Sequence, residues 1–166
     1  VGHSLGGAVA MEVALKSPSR VTALALIAPA GLGREINQEY IEGFVEADSR
    51  KVMKQLLQQL VADPELVNRS LVNDMLQYKR IDGVPDALKV IANGFIQNGS
   101  QAVDCKSRLA DLTIPIKVIW GSEDKIIPAS HSEGLPASIE THVLEGFGHL
   151  VQLEAASDVN ALLKSN

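Results

Sequence analysis

Five residues near the start of the chain, Gly2-His3-Ser4-Leu5-Gly6, restrict what it can fold into more than any other segment. In a G-x-S-x-G pattern the serine sits on a sharp turn between a strand and a helix, with its hydroxyl held outward. The turn forces the serine backbone into an unfavourable conformation. Side chains at Gly2 and Gly6 are expected to collide with the neighbouring strand and helix. Alone the pattern is weak, because ordinary Gly and Ser usage yields it by chance in roughly 5% of chains this long. Its surroundings make it specific. Leu5–Lys16 (LGGAVAMEVALK) is rich in small and helix-forming residues and is stopped by Ser17-Pro18-Ser19. Residues 21–28 (VTALALIA) then form a continuous apolar run of strand length bounded by Pro29 and Gly31, as in a parallel strand covered on both faces.

The same strand-then-loop punctuation recurs near the C-terminus. Residues 117–120 and 142–144 are apolar runs that end in Gly121 and in Gly146 with Gly148, and residues 150–164 carry the spacing of a closing amphipathic helix. Between Gly31 and about Ser107 the pattern is helical only. Val52, Leu56, Leu57, Leu60 and Val61 share one face, Asp63 before Pro64 predicts an N-cap, and Leu88, Ile91, Ala92 and Phe95 line another face. The expectation is one α/β domain over residues 1–166, with a mostly parallel sheet flanked by helices. A cap of roughly four helices at about residues 32–107 is inserted between core strands.

A serine hydroxyl is scarcely ionised near neutral pH. It needs a base, and the base needs a carboxylate to fix its tautomer and stabilise the imidazolium. Asp124 follows a strand in the loop Gly121-Ser122-Glu123-Asp124, and His149 follows the last strand in Gly146-Phe147-Gly148-His149. Ser4, Asp124 and His149 are therefore the candidate catalytic residues, with the Leu5 backbone N–H as one oxyanion donor. Glu123 is the rival acid, and Asp124 could instead serve only to cap its loop. His3 is expected to pack or hydrogen-bond within the turn, alongside the structural glycines Gly2 and Gly6. His131 and His142 fit helix and strand positions without a partner.

Composition narrows the partners. The 166 residues are 46% hydrophobic with a formal net charge of -5, and the longest basic group is Lys79-Arg80, which argues against nucleic acid. No apolar stretch approaches the ~20 residues that span a bilayer, so no membrane partner is expected. The lone Cys105 can form no internal disulfide, no metal-binding cluster is present, and a reducing cytoplasm is the expected location.

The stretches GHSLGG, IPIKVIWGSEDKIIP and GFGHLVQLE together resemble the α/β-hydrolase superfamily. The cap segments EYIEGFVEADSR and YKRIDGV resemble the hydrolase-like C-terminal domain of the acetyltransferase (E2) component of bacterial acetoin dehydrogenase complexes. The resemblance implies the C-terminal part of an α/β-hydrolase fold whose N-terminal part lies upstream of Val1. It implies a small acyl or ester-type substrate and other acetoin dehydrogenase complex subunits as partners. No cofactor belongs to this region, whereas a lipoyl group would sit on an upstream domain. Conventional E2 acyltransferases share a His-x-x-x-Asp signature, and none of His3, His131, His142 or His149 has Asp four residues later. In that fold the first strands pair beside the Ser4 strand. The chain as it stands is thus expected to expose a sheet edge open to strand exchange or homo-oligomer formation, and to have little esterase activity by itself.

Overall fold

The computed structural model describes residues 1–165. A short strand β1 (Gly2–His3) runs into helix α1 (Leu5–Lys16), and the chain returns as β2 (Leu24–Ile27). Four helices follow: α2 (Gln38–Glu46), α3 (Arg50–Leu57), α4 (Arg69–Tyr78) and α5 (Val84–Phe95). A hairpin of β3 (Ile96–Gln97) and β4 (Ser100–Gln101) then leads back to β5 (Ile116–Gly121) and β6 (Ile139–Leu144), closed by α6 (Val151–Glu154) and α7 (Ala156–Lys164). Strands β1, β2, β5 and β6 lie side by side in that order and are all parallel. Parallel pairing points every strand's C-terminal end toward the same rim of the sheet.

Side-chain alternation explains why the sheet is covered on both faces. Leu24 and Leu26 of β2, with Ile116, Val118 and Trp120 of β5, join the main core with Ala8, Met11 and Ala14 of α1. The intervening Ile27 and Ile119 face the other way and pack with Val151, Ala155 and Val159 of the closing helices. Strands with apolar residues on both faces read as unbroken runs, as residues 21–28 do. Full burial of side chains such as Met11 and Leu26, each 0% exposed, contributes about 1.5–3 kcal/mol apiece. Edge strand β6 is half solvated, with Val143 exposed, and Glu140 faces its register partner Lys117 at 3.2 Å.

The helices between β2 and β5 begin where their caps dictate. Asn37, Ser49 and Asn68 each accept a hydrogen bond from the third residue on, Tyr40, Val52 and Leu71, satisfying an N–H that has no helical acceptor. Four sequence expectations change here. The segment is not purely helical, because Asn98 and Gly99 both take positive φ (52° and 75°) and form the two-residue turn of the β3–β4 hairpin. On α3 the buried face is Met53, Leu56 and Leu57, while Val52 is exposed. The closing helix breaks at Ala155 (φ -116°, ψ 44°), so two short helices replace one. Asp63 does cap Pro64–Leu66, but as one 3₁₀ turn rather than the start of an α-helix.

Candidate active site

Ser4 follows β1 directly and opens α1 with φ 52° and ψ -125°, a positive-φ conformation uncommon for a residue with a Cβ. The strain is held by hydrogen bonds on both sides. The Ser4 N–H donates to Ile27 O (3.0 Å), and the Ser4 carbonyl accepts from Gly7 N and Ala30 N (2.9 Å each). Gly2 is required by crowding, since a Cβ there would meet Gly6 O and Gly7 Cα (2.7 Å). Gly7 has the same constraint against Pro29. Gly6 corrects the sequence expectation: a Cβ there would meet nothing within 4 Å, because that position faces open space on the outside of the turn. The serine side chain does not cap its own helix, so its hydroxyl remains free for another use. As the first residue of α1, Leu5 presents an N–H with no acceptor inside the helix.

Asp124 and His149 are brought together by the loops after β5 and β6. His149 Nδ1 lies 2.7 Å from Asp124 Oδ2, with the two side chains 3% and 0% exposed. The carboxylate is saturated by donors. Its Oδ1 accepts from the backbone N–H groups of Ile126 (2.8 Å) and Ile127 (2.9 Å), and its Oδ2 also accepts from Trp120 Nε1 (3.0 Å). An ionised carboxylate can only accept, so the proton of this pair resides on His149 Nδ1 and leaves a lone pair on Nε2. Glu123, the rival acid, is exposed. Asp124 both caps its own loop and pairs with His149.

His3 joins this pair to the serine turn. Its Nε2 bonds the His149 carbonyl oxygen at 3.0 Å, and the two rings lie 4.8 Å apart. No hydrogen bond joins Ser4 Oγ to the His149 ring among the described residues. Such contacts are commonly long in the absence of substrate. Burial first, and the neighbouring His149 second, hold the His3 imidazole below its ordinary value of 6.5. The folded protein therefore keeps His3 neutral where the unfolded chain takes up a proton. Stability from this residue is complete above pH 6.5 and declines as the pH falls below it. Denaturant midpoints at pH 7.5 and 5.5 are expected to differ less in His3→Gln than in the parent, and an equal or larger difference would contradict this reading.

The other two histidines lie away from this pair, and both have carboxylate partners that the sequence reading did not foresee. Buried His131 meets Glu35 (2.7 Å), and His142 meets Glu140 two residues earlier on the same face of β6 (2.6 Å). The i, i+2 spacing in a strand was the available signal for the second. The sequence reading also passed over Asn37. Besides capping α2, it donates through Nδ2 to Lys125 O (3.1 Å), and its N–H donates to Ile126 O (2.8 Å). The helix beside the serine is thereby tied to the loop that carries Asp124.

A cavity of about 130 Å³ opens beside Ser4. Ile41 and Phe44 of α2, Leu88, Ile91 and Phe95 of α5, and Ile126 form its apolar wall, with Tyr40 the one other residue carrying a polar side-chain atom. Lys79 fixes the far end of α2 by donating to Val45 O (3.0 Å) and to the carbonyls of Phe44 and Ala47.

The sequence pattern of the alpha/beta hydrolase fold matches residues 1–156. The chain belongs to the α/β hydrolase fold family. It is 43% identical over 166 residues to the dihydrolipoyllysine-residue acetyltransferase component of the acetoin cleaving system of Cupriavidus necator, covering 100% of this chain and 44% of that protein. The corresponding component of Pseudomonas putida is 47% identical over 159 residues, covering 96% and 42%. The chain thus spans less than half the length of these two relatives. Among solved structures, a meta-cleavage product hydrolase superposes with a TM-score of 0.84 at 22% identity, covering 98% of this chain and 61% of that one, a likeness of fold. In this chain the α2–α5 segment stands between β2 and β5, and α2 and α5 share a cavity with Ser4.

Proposed function

We propose that this domain is a serine-nucleophile catalyst of hydrolysis or acyl transfer, acting on an ester, thioester or activated C–C bond, within an acetoin-cleaving acetyltransferase component. The buried Asp124–His149 pair lying against the strained Ser4 turn carries the reading. His149 Nε2 takes the hydroxyl proton as Ser4 Oγ attacks the substrate carbonyl, and Asp124 stabilises the imidazolium that results. The Leu5 N–H, at the positive end of α1, supplies part of the stabilisation of the developing oxyanion. His149 then returns the proton to the leaving group. His3 stays neutral throughout, so no second positive charge opposes the imidazolium.

Labelling of the whole protein with a fluorophosphonate probe tests the proposal. Modification is expected in the parent and absent in Ser4→Ala, and an unreactive Ser4 in the whole protein would overturn it. A second reading, a non-catalytic scaffold domain of the same complex, draws on the missing Ser4–His149 hydrogen bond and predicts that unreactive serine. Dependence of turnover on coenzyme A separates acyl transfer from hydrolysis.

A further inference from the structure

Tyr40 has no role in the chemistry derived above, yet it lines the cavity that opens on Ser4. Its ring is held in place. The Tyr40 N–H is capped by Asn37, and the ring stacks on Phe44 with centroids 6.2 Å apart and planes at 28°. The residue is 9% exposed. Burial drives the phenol pKa upward, so the hydroxyl stays protonated and can donate. Every other contributor to the cavity except Ser4 is aliphatic or phenyl, and no Lys, Arg or His lines it among the described residues.

We propose that this cavity receives the acyl portion of an uncharged substrate, and that the Tyr40 hydroxyl donates a hydrogen bond to an oxygen carried on that portion. This rests on Ser4 being the attacking group, since that defines which end of the substrate enters. The volume sets the size. About 130 Å³ lies below the range of about 300–1,000 Å³ typical of sites for drug-sized ligands, so the space suits a short chain rather than a large ring system. The chemistry sets the charge. A carboxylate entering the cavity would lose its hydration and find one neutral donor and no cation, whereas a ketone or hydroxyl oxygen needs only that donor. Tyr40 is therefore a specificity-determining residue. It favours a short oxygenated acyl chain over a plain hydrocarbon, while the apolar wall rejects acids.

Two ligands of matched skeleton, pentan-2-one and 4-oxopentanoate, test this by binding rather than turnover. The whole protein carrying Ser4→Ala, which can form no covalent adduct, is titrated while the methyl resonances of Ile41, Ile91 and Ala92 are followed by NMR. Pentan-2-one is expected to shift these methyls saturably and to bind at least tenfold more tightly than the keto acid. Adding Tyr40→Phe, which keeps the ring and its stacking, is expected to weaken pentan-2-one about fivefold. Equal affinity for the ketone and the keto acid, unchanged ketone affinity in Tyr40→Phe, or no saturable shift overturns the proposal. Ketone binding of the expected pattern in a protein whose Ser4 resists the fluorophosphonate would remove the catalytic reading and leave the pocket assignment standing. A reactive Ser4 with no Tyr40 effect would do the reverse.

Discussion

Asp124→Asn is expected to lower kcat of the whole protein on an activated ester by about 10⁴ while leaving a folded domain, because the substitution inverts one hydrogen bond. The side-chain amide has one correct orientation. Its oxygen must sit where Oδ1 accepts from the Ile126 and Ile127 N–H groups. Its NH₂ then lies at the Oδ2 position, facing two donors, Trp120 Nε1 and His149 Nδ1. Trp120 loses little, since Nε1 is also 3.1 Å from Ile127 O. His149 has no such alternative. It must turn Nδ1 into an acceptor by moving its proton to Nε2, which leaves no lone pair to take the proton of Ser4. The flipped amide is worse, with NH₂ opposed to two backbone N–H groups. The stability cost is about 1–3 kcal/mol for imperfectly satisfied buried donors. The comparison is kcat for p-nitrophenyl acetate in parent and variant, with urea denaturation to establish folding. A folded variant retaining activity within tenfold of the parent would show that Asp124 does not set the His149 tautomer.

What the sequence disclosed follows the range of the forces involved. Helix α1 spans Leu5–Lys16, as its small and helix-forming residues and the Ser17-Pro18 stop indicate, because those signals act within a few residues. The positions of Asp124 and His149 were legible for a topological reason. Strands in one parallel sheet end on one rim, so glycine-rich loops after successive strands gather there. The hairpin turn was equally local, since Asn98-Gly99 is a strong two-residue turn signal, but it lay inside a helical stretch whose pattern dominated the reading. Tertiary choices were less legible. Val52 and Met53 are adjacent and both apolar, and only the packing of α3 decides that Met53 is buried. Trp120 gives no sequence sign that its indole N–H meets Asp124, because that contact depends on the loop turning back over the end of β5. Asn37 and Tyr40 are likewise ordinary helix-start residues until α2 is set against the 124–127 loop.

Gly121→Ala is expected to destabilise the protein by about 3 kcal/mol or more, the upper end of what overpacking costs, and to abolish fluorophosphonate labelling of whatever remains folded. Gly121 ends β5 where the loop carrying His149 crosses it. A Cβ there would meet the carbonyl oxygens of Gly148 and Phe147, and the Phe147 carbonyl carbon at 2.6 Å. A flexible side chain could rotate away from a methyl group, but these are backbone atoms with commitments of their own. The Phe147 carbonyl accepts from Glu123 N (2.8 Å), and Gly148 N donates to Glu154 (2.8 Å). Gly148 is itself wedged, since a Cβ on it would lie 2.9 Å from Leu60 O and Ala62 N. The loop therefore cannot retreat without striking the segment after α3. Relief must come from breaking the Glu123–Phe147 bond or lifting the His149 loop, and either movement separates His149 from Asp124. Denaturant midpoints and probe labelling of the two whole proteins decide the matter. A stable, fully labelled alanine variant would mean that the crossing of the two loops is looser than the structure shows.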